Sequence, residues 1–111
     1  MGTRKAKSGE GCAVTKELII LIFNSSIEEE MLEALEEAGM RYYTRIPKVQ
    51  GVGEESEPRL DSHVWPGTNT IYLICIDADR KDAILTAIAR MKEIHREEGV
   101  KAFVLPVSAS L

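Results

Sequence analysis

Two segments of this chain are apolar on both faces of an extended strand, and that constrains its fold more than any other feature. Residues 18–23 read Leu-Ile-Ile-Leu-Ile-Phe. Residues 69–76 place Ile71, Leu73 and Cys75 on one face and Tyr72, Ile74 and Ile76 on the other. Runs of this kind belong to strands covered on both sides.

Two amphipathic helices and two further strands surround them. Ser26 with Glu29 three residues on forms a capping box and predicts a helix start. Ile27, Met31, Leu32, Leu35 and Ala38 line its core side. Glu28, Glu29, Glu30, Glu33, Glu36 and Glu37 line the other, the first three where the helix dipole favours an acid. Gly39 is the expected stop. Residues 40–49 read as a rather polar strand in which Pro47 marks an edge or a bulge. Asp79 is expected to cap a second helix reaching about residue 97, with Ile84, Ala87, Ile88, Met91 and Ile94 as its core stripe and Gly99 as its end. Residues 100–107 form the last strand.

The order β-α-β-β-α-β predicts an α+β, ferredoxin-like sandwich: a four-stranded antiparallel sheet with both helices on one face. Two helices cover one face only. In a lone chain the apolar side chains of the other face would stand in water, and burying each is worth roughly 1.5–3 kcal/mol. A patch of that size marks an interface. The basic tail is too polar to cover it, so the sheet is expected to pack against sister subunits.

The chain has 111 residues and a net charge of −4, which suits one domain. Residues 1–16 carry Arg4, Lys5, Lys7 and Lys16 against Glu10, a net +3 that leaves −7 on the rest. They read as a disordered basic tail, residues 17–107 as the domain, and residues 108–111 as a short tail. An acidic domain argues against general binding to nucleic acid or to an anionic membrane surface. An RNA-recognition sheet is disfavoured as well, because Tyr72 is the one aromatic on its strand. Two cysteines, Cys12 in the tail and Cys75 in an apolar run, do not make a disulfide framework and point to a reducing cytoplasm. The longest apolar run falls far short of the ~20 residues that span a bilayer. No small-residue cleavage site follows the basic start, so no signal peptide is expected.

Residues 51–68 form a long irregular stretch, and stretches beyond ~12–15 residues tend to be functional. Its first half is small and acidic. Gly51 and Gly53 open backbone conformations that suit a hinge, an approach to an anion, or a plain turn. Its second half holds Trp65, the single Trp of the chain, in a Trp65-Pro66-Gly67 turn. That Trp packs as an interface anchor, a ligand shelf or a loop plug. His63, with Asp61 beside it, offers at most two metal ligands. No Cys/His spacing makes a zinc site, and His95 reads as a solvated helix residue. No Ser-His-Asp or Cys-His constellation is visible, so a non-enzyme is expected.

The strand end Ile46-Pro47-Lys48-Val49-Gln50, then Gly51-Val52-Gly53, the long loop and the apolar third strand resemble the P-II signalling proteins and their P-II-like relatives. The segment from Leu60 to Asn69, with Trp65-Pro66-Gly67-Thr68-Asn69, looks like the W-P-G-x-N loop end of a P-II-like branch. The resemblance covers about residues 17–107. It implies a cytoplasmic homotrimer whose sheets face the threefold axis, with adenine nucleotides (ATP, ADP or AMP) bound in clefts between subunits. It also implies that the loop docks on a target protein such as a transporter or an enzyme. Carried onto this chain, the ligand contacts are Gly51, Gly53, Arg59, Trp65, Gly67, Asn69 and Lys101. Residues 51–68 hold no Tyr, so the family's uridylylation control is not expected. The divalent-cation tolerance proteins share the architecture, and with His63 they leave a metal-binding or metal-responsive role as the alternative.

Overall fold

A computed structural model describes residues 15–50 and 68–111. Strand β1 (Lys16–Asn24) leads through a 3-10 turn, Ser25–Ile27, into helix α1 (Glu28–Glu37). Strand β2 (Thr44–Val49) and strand β3 (Asn69–Asp77) follow. A second 3-10 turn, Ala78–Arg80, opens helix α2 (Lys81–Ile94), and strand β4 (Val100–Val107) closes the domain. The sheet order is β2-β3-β1-β4, every neighbouring pair antiparallel. This is the expected ferredoxin-like α+β architecture, with β1 and β3 in the middle of the sheet where their doubly apolar composition places them.

Register separates the two faces. Ile19, Leu21 and Phe23 of β1 share a face with Thr70, Tyr72 and Ile74 of β3. These residues are buried, and with Met31 and Leu35 of α1 and Ile84, Ile88 and Met91 of α2 they make the core. On the opposite face Leu18, Ile20 and Ile22 lie across from Cys75, Leu73 and Ile71 on one side. On the other side they lie across from Leu105, Phe103 and Lys101. Thr44 and Ile46 extend the rows onto β2. No described element covers this face. Phe103 is 51% exposed, and Leu105, Ile46 and Cys75 are exposed as well.

Several local expectations are corrected. The strand expected from residue 40 begins at Thr44, because Met40 turns into the core instead. The Ser26–Glu29 capping box does not start α1. Asn24 accepts a hydrogen bond from the Ser26 backbone N–H at 2.9 Å and caps the intervening 3-10 turn, while Ile27, at the head of α1, makes no side-chain cap. Asp79 likewise lies inside the 3-10 turn before α2 and caps nothing. Helix α2 ends at Ile94, whose side chain is 66% exposed, so the apolar stripe stops one turn early at Met91. Cys75, whose place in an apolar run predicts a core residue, is exposed on the open sheet face. Gly39, at φ +108°, follows the end of α1 as expected, whereas Gly99, at φ +82°, does not end α2, which stops at Ile94, and instead closes the turn before β4. Pro47 sits on edge strand β2, within a break in register between Ile46 and Val49, and Lys48 beside it takes φ +59°.

Candidate functional site

The long 51–68 stretch is anchored at one end of the sheet. There β2 ends at Val49, β3 begins at Asn69, β1 ends at Asn24 and β4 begins at Val100. The register sets Asn69 opposite both Asn24 and Val49, and Lys101 opposite Ile22, two rows further along β1. Of the residues singled out from the sequence, Asn69 and Lys101 are thus brought to the same end of the sheet, two strands apart. Gly51, Gly53, Arg59, His63, Trp65 and Gly67 lie outside the described residues, as does Cys12.

The chain re-enters at Thr68 through a set of hydroxyl contacts. The Ser25 backbone N–H donates to the Thr68 carbonyl at 2.9 Å. The Thr68 hydroxyl donates to Ser25 Oγ at 3.3 Å, and Ser25 Oγ lies 2.8 Å from Thr70 Oγ1. Thr70 is fully buried, so this pairing satisfies a hydroxyl that would otherwise be stranded. The start of β3 is therefore locked to the turn between β1 and α1.

Beside that turn lies a cluster not foreseen from the sequence. Glu28, the first residue of α1, receives a fork from Arg45 of β2: Nε to Oε2 at 2.6 Å and Nη2 to Oε1 at 2.9 Å. The hydroxyl of fully buried Tyr72 donates to the same Glu28 Oε2 at 2.8 Å. The ring of Tyr43 leans on Tyr72 at 4.7 Å between centroids, and Phe23 meets it edge-on at 5.0 Å. The Arg45 hydrogen bonds hold the Glu28 carboxyl below its ordinary range; burial opposes them and the Tyr72 bond assists. Burial, then the bond to Glu28, pushes the Tyr72 hydroxyl well above its usual value. Glu28 bonds push the Arg45 guanidinium up in turn. An open cleft of about 410 Å³ borders the cluster, lined by Ser25, Ser26, Glu28, Glu29, Leu32 and Arg45. A glutamate in a run of three acids gives no hint that it pairs with an arginine on a later strand.

His95 departs from expectation. Its side chain is only 18% exposed, and it bridges α1 and the turn after α2. Nε2 lies 2.5 Å from Glu30 Oε1, and Nδ1 lies 3.7 Å from Glu98 Oε1. At the far end of the sheet Lys16 pairs with Asp77 at 2.7 Å and Lys81 with Glu17 at 2.7 Å, fastening β1 to β3 and to α2. Among the described residues no group of three His, Cys, Asp or Glu side chains is placed to hold a metal ion. Among the same residues no helix is long and apolar enough to cross a membrane.

A family model described as nitrogen regulatory protein P-II matches residues 16–110. No curated protein matches the chain in sequence. Among solved structures, the fold is similar to that of CPII from Thiomonas intermedia K12 bound to ADP, AMP and acetate. That match has a TM-score of 0.66 at 14% identity, over 88% of this chain and 91% of that one. A PII-like signalling protein from Thermus thermophilus aligns with a TM-score of 0.58 at 22% identity, over 85% and 87%. A protein of unknown function from Pediococcus pentosaceus ATCC 25745 gives 0.61 at 18% identity, over 89% and 98%. At such identities the likeness is one of fold.

Proposed function

The chain belongs to the nitrogen regulatory protein P-II family, and on that premise we propose that it works as a homotrimeric ligand sensor. In this reading an adenine nucleotide binds in the clefts between subunits, and the 51–68 segment acts on a target protein. Gly51, Gly53, Arg59, Trp65, Gly67, Asn69 and Lys101 supply the ligand contacts. The compartment is the cytoplasm, the target is a transporter or an enzyme, and the chain regulates without catalysing.

The observation that carries the reading is the uncovered apolar sheet face. Leu18, Ile20, Ile22, Ile71, Leu73, Phe103 and Leu105 stand on it together. A hydrophobic surface this continuous favours burial against other copies of the chain. Trimerisation through it brings each sheet end, with Asn69 and Lys101, next to a neighbour, which is where a shared cleft forms. The choice of an adenine nucleotide draws support from CPII, whose structures hold ADP and AMP. A ligand of this kind acts by stabilising the conformations it prefers.

Light scattering together with thermal melting tests both halves. A particle with the mass of three chains supports the trimer, and one with the mass of a single chain overturns it. A rise in melting temperature with ADP, AMP or ATP supports the nucleotide, since a ligand of the folded state raises stability. No rise with any of these nucleotides overturns it. Divalent cations form the parallel arm: a rise with a metal that disappears in His63→Ala would instead favour the metal-responsive alternative.

A further inference from the structure

Strand β2 departs from regular pairing just before the 51–68 stretch. Thr44 lies opposite Leu73 and Ile46 opposite Ile71, so a regular ladder would next set Lys48 opposite Asn69. The residue found there is Val49. One extra residue is thus held in β2, which makes a β-bulge. Within it Lys48 takes φ +59° and is the single non-glycine residue of positive φ among the described residues. Glycine adopts that conformation freely, whereas any residue with a Cβ is strained in it. Such strain persists only where the surrounding structure imposes it. The two roots of the stretch are therefore unlike. At the far one, Thr68 and Thr70 are bonded to Ser25, and β3 has a strand on each side. At the near one, β2 is an edge strand with a strained break in its register.

The bulge decides which side chain continues the bare face. Leu73, Ile71 and Asn69 alternate on that face of β3, and Thr44, Ile46 and Val49 carry their rows onto β2. A slip of one residue would carry the later side chains of a strand to its opposite face. Without the extra residue, the row of Asn69 would receive a lysine. With it the row receives Val49, which is partly buried, while Lys48 is exposed.

We propose that this bulge is a register device: strain held at Lys48 keeps a charge out of the apolar row and seats Val49 there, which, on the reading above in which the bare face packs against sister subunits, extends the subunit interface along β2 to the root of the 51–68 segment. A lysine drawn into that row would have to leave water without a counter-ion among the described residues of the row, a cost that apolar packing does not repay. One residue thus sets both where the 51–68 segment leaves the sheet and what the assembly face presents to a neighbour.

Two sets of variants of the full chain test this. The first reads the backbone at position 48 and does not depend on assembly. At an ordinary strand position glycine lowers stability and a β-branched residue raises it. In the bulge the signs reverse: Lys48→Gly should raise the melting temperature by roughly 4 °C, and Lys48→Val should lower it. Strand-like signs overturn the proposal. The second set compares two deletions, each of which shortens β2 by one residue and removes the bulge. With Lys48 deleted, Val49 stays opposite Asn69, and light scattering should show the assembled mass of the parent protein. With Val49 deleted, Lys48 takes that row, and the concentration needed for assembly should rise about tenfold or more, the effect of a charge brought into an apolar contact. Equal assembly by the two deletions overturns the proposal. If the parent protein itself has the mass of a single chain, the trimeric reading falls, while the signs at position 48 still decide whether strain holds the register.

Discussion

Glu28 accepts three side-chain hydrogen bonds, and its carboxylate is where α1, β2 and β3 converge. Arg45 supplies two charge-assisted bonds and Tyr72 a third. Removing one partner exposes what each contributes. Tyr72→Phe leaves the Arg45 fork intact and should cost about 1 kcal/mol in chemical denaturation, the usual net value of a hydrogen bond. Glu28→Gln should cost more, about 1–2 kcal/mol, because a charged acceptor is lost and Arg45 is left without its counter-ion. The pH dependence has a definite sign. The folded-state carboxyl is held below its ordinary value of 4.5, so its contribution is complete above that value and disappears as pH falls through the lower folded one. Acid melts of Glu28→Gln should lack that part of the decline. None of this is visible in the sequence, where Glu28 reads as one more acid on a solvated helix face. Its pairing with Arg45 depends on β2 crossing beside the start of α1, and no local pattern encodes that. The same holds for His95, whose partner Glu30 lies on the other helix, more than half the chain away.

At the level of elements, caps and stops behave differently. The Gly39 stop matches the sequence reading, because a left-handed residue after a helix is a local requirement that glycine meets at least cost, whereas Gly99 takes its left-handed conformation in the turn before β4, after α2 has already ended at Ile94. Gly99→Ala offers a clean test: a Cβ there would meet nothing within 4 Å, so only backbone strain at φ +82° opposes it. It should destabilise by roughly 1–2 kcal/mol in thermal or chemical melts. At Gly39 the added Cβ would also come within 3.3 Å of Arg80 Nη2, the far end of a flexible side chain, so a similar or slightly larger loss is expected. The two N-terminal caps fail as read, at Ser26 and at Asp79, because in each case a 3-10 turn intervenes between strand and helix. Strand composition alone does not say whether the chain enters a helix directly or through a tighter turn. Pro47 in β2 fits its edge position, where its missing N–H withdraws no bond from a neighbour on the outer side.

For the whole molecule, the sheet has one face sealed by helices and one left bare among the described residues. Changing a residue on each should separate fold from assembly. Leu21→Ala, at a fully buried position, should cost about 2–5 kcal/mol and unfold the domain at lower temperature. Phe103→Asp, on the bare face, should leave the circular dichroism of the chain intact while shifting its mass in light scattering from the assembled species to that of a single chain. An assembled Phe103→Asp protein would place the subunit interface elsewhere. The sequence by itself determined the element order, the stop after α1, the edge character of β2 and the presence of two central strands apolar on both sides. These follow from periodicity and from backbone rules that act within a few residues. It also carried the P-II resemblance, which the family model over residues 16–110 bears out. Only the tertiary structure decided which carboxylates and hydroxyls find partners. It joined Glu28 to Arg45 and Tyr72, Glu30 to His95, and Ser25 to Thr68 and Thr70, because these contacts exist once register and helix crossing bring distant segments within hydrogen-bond range. Local chemistry can specify a strand or a stop, whereas a polar contact shared by several elements is specified by packing geometry alone.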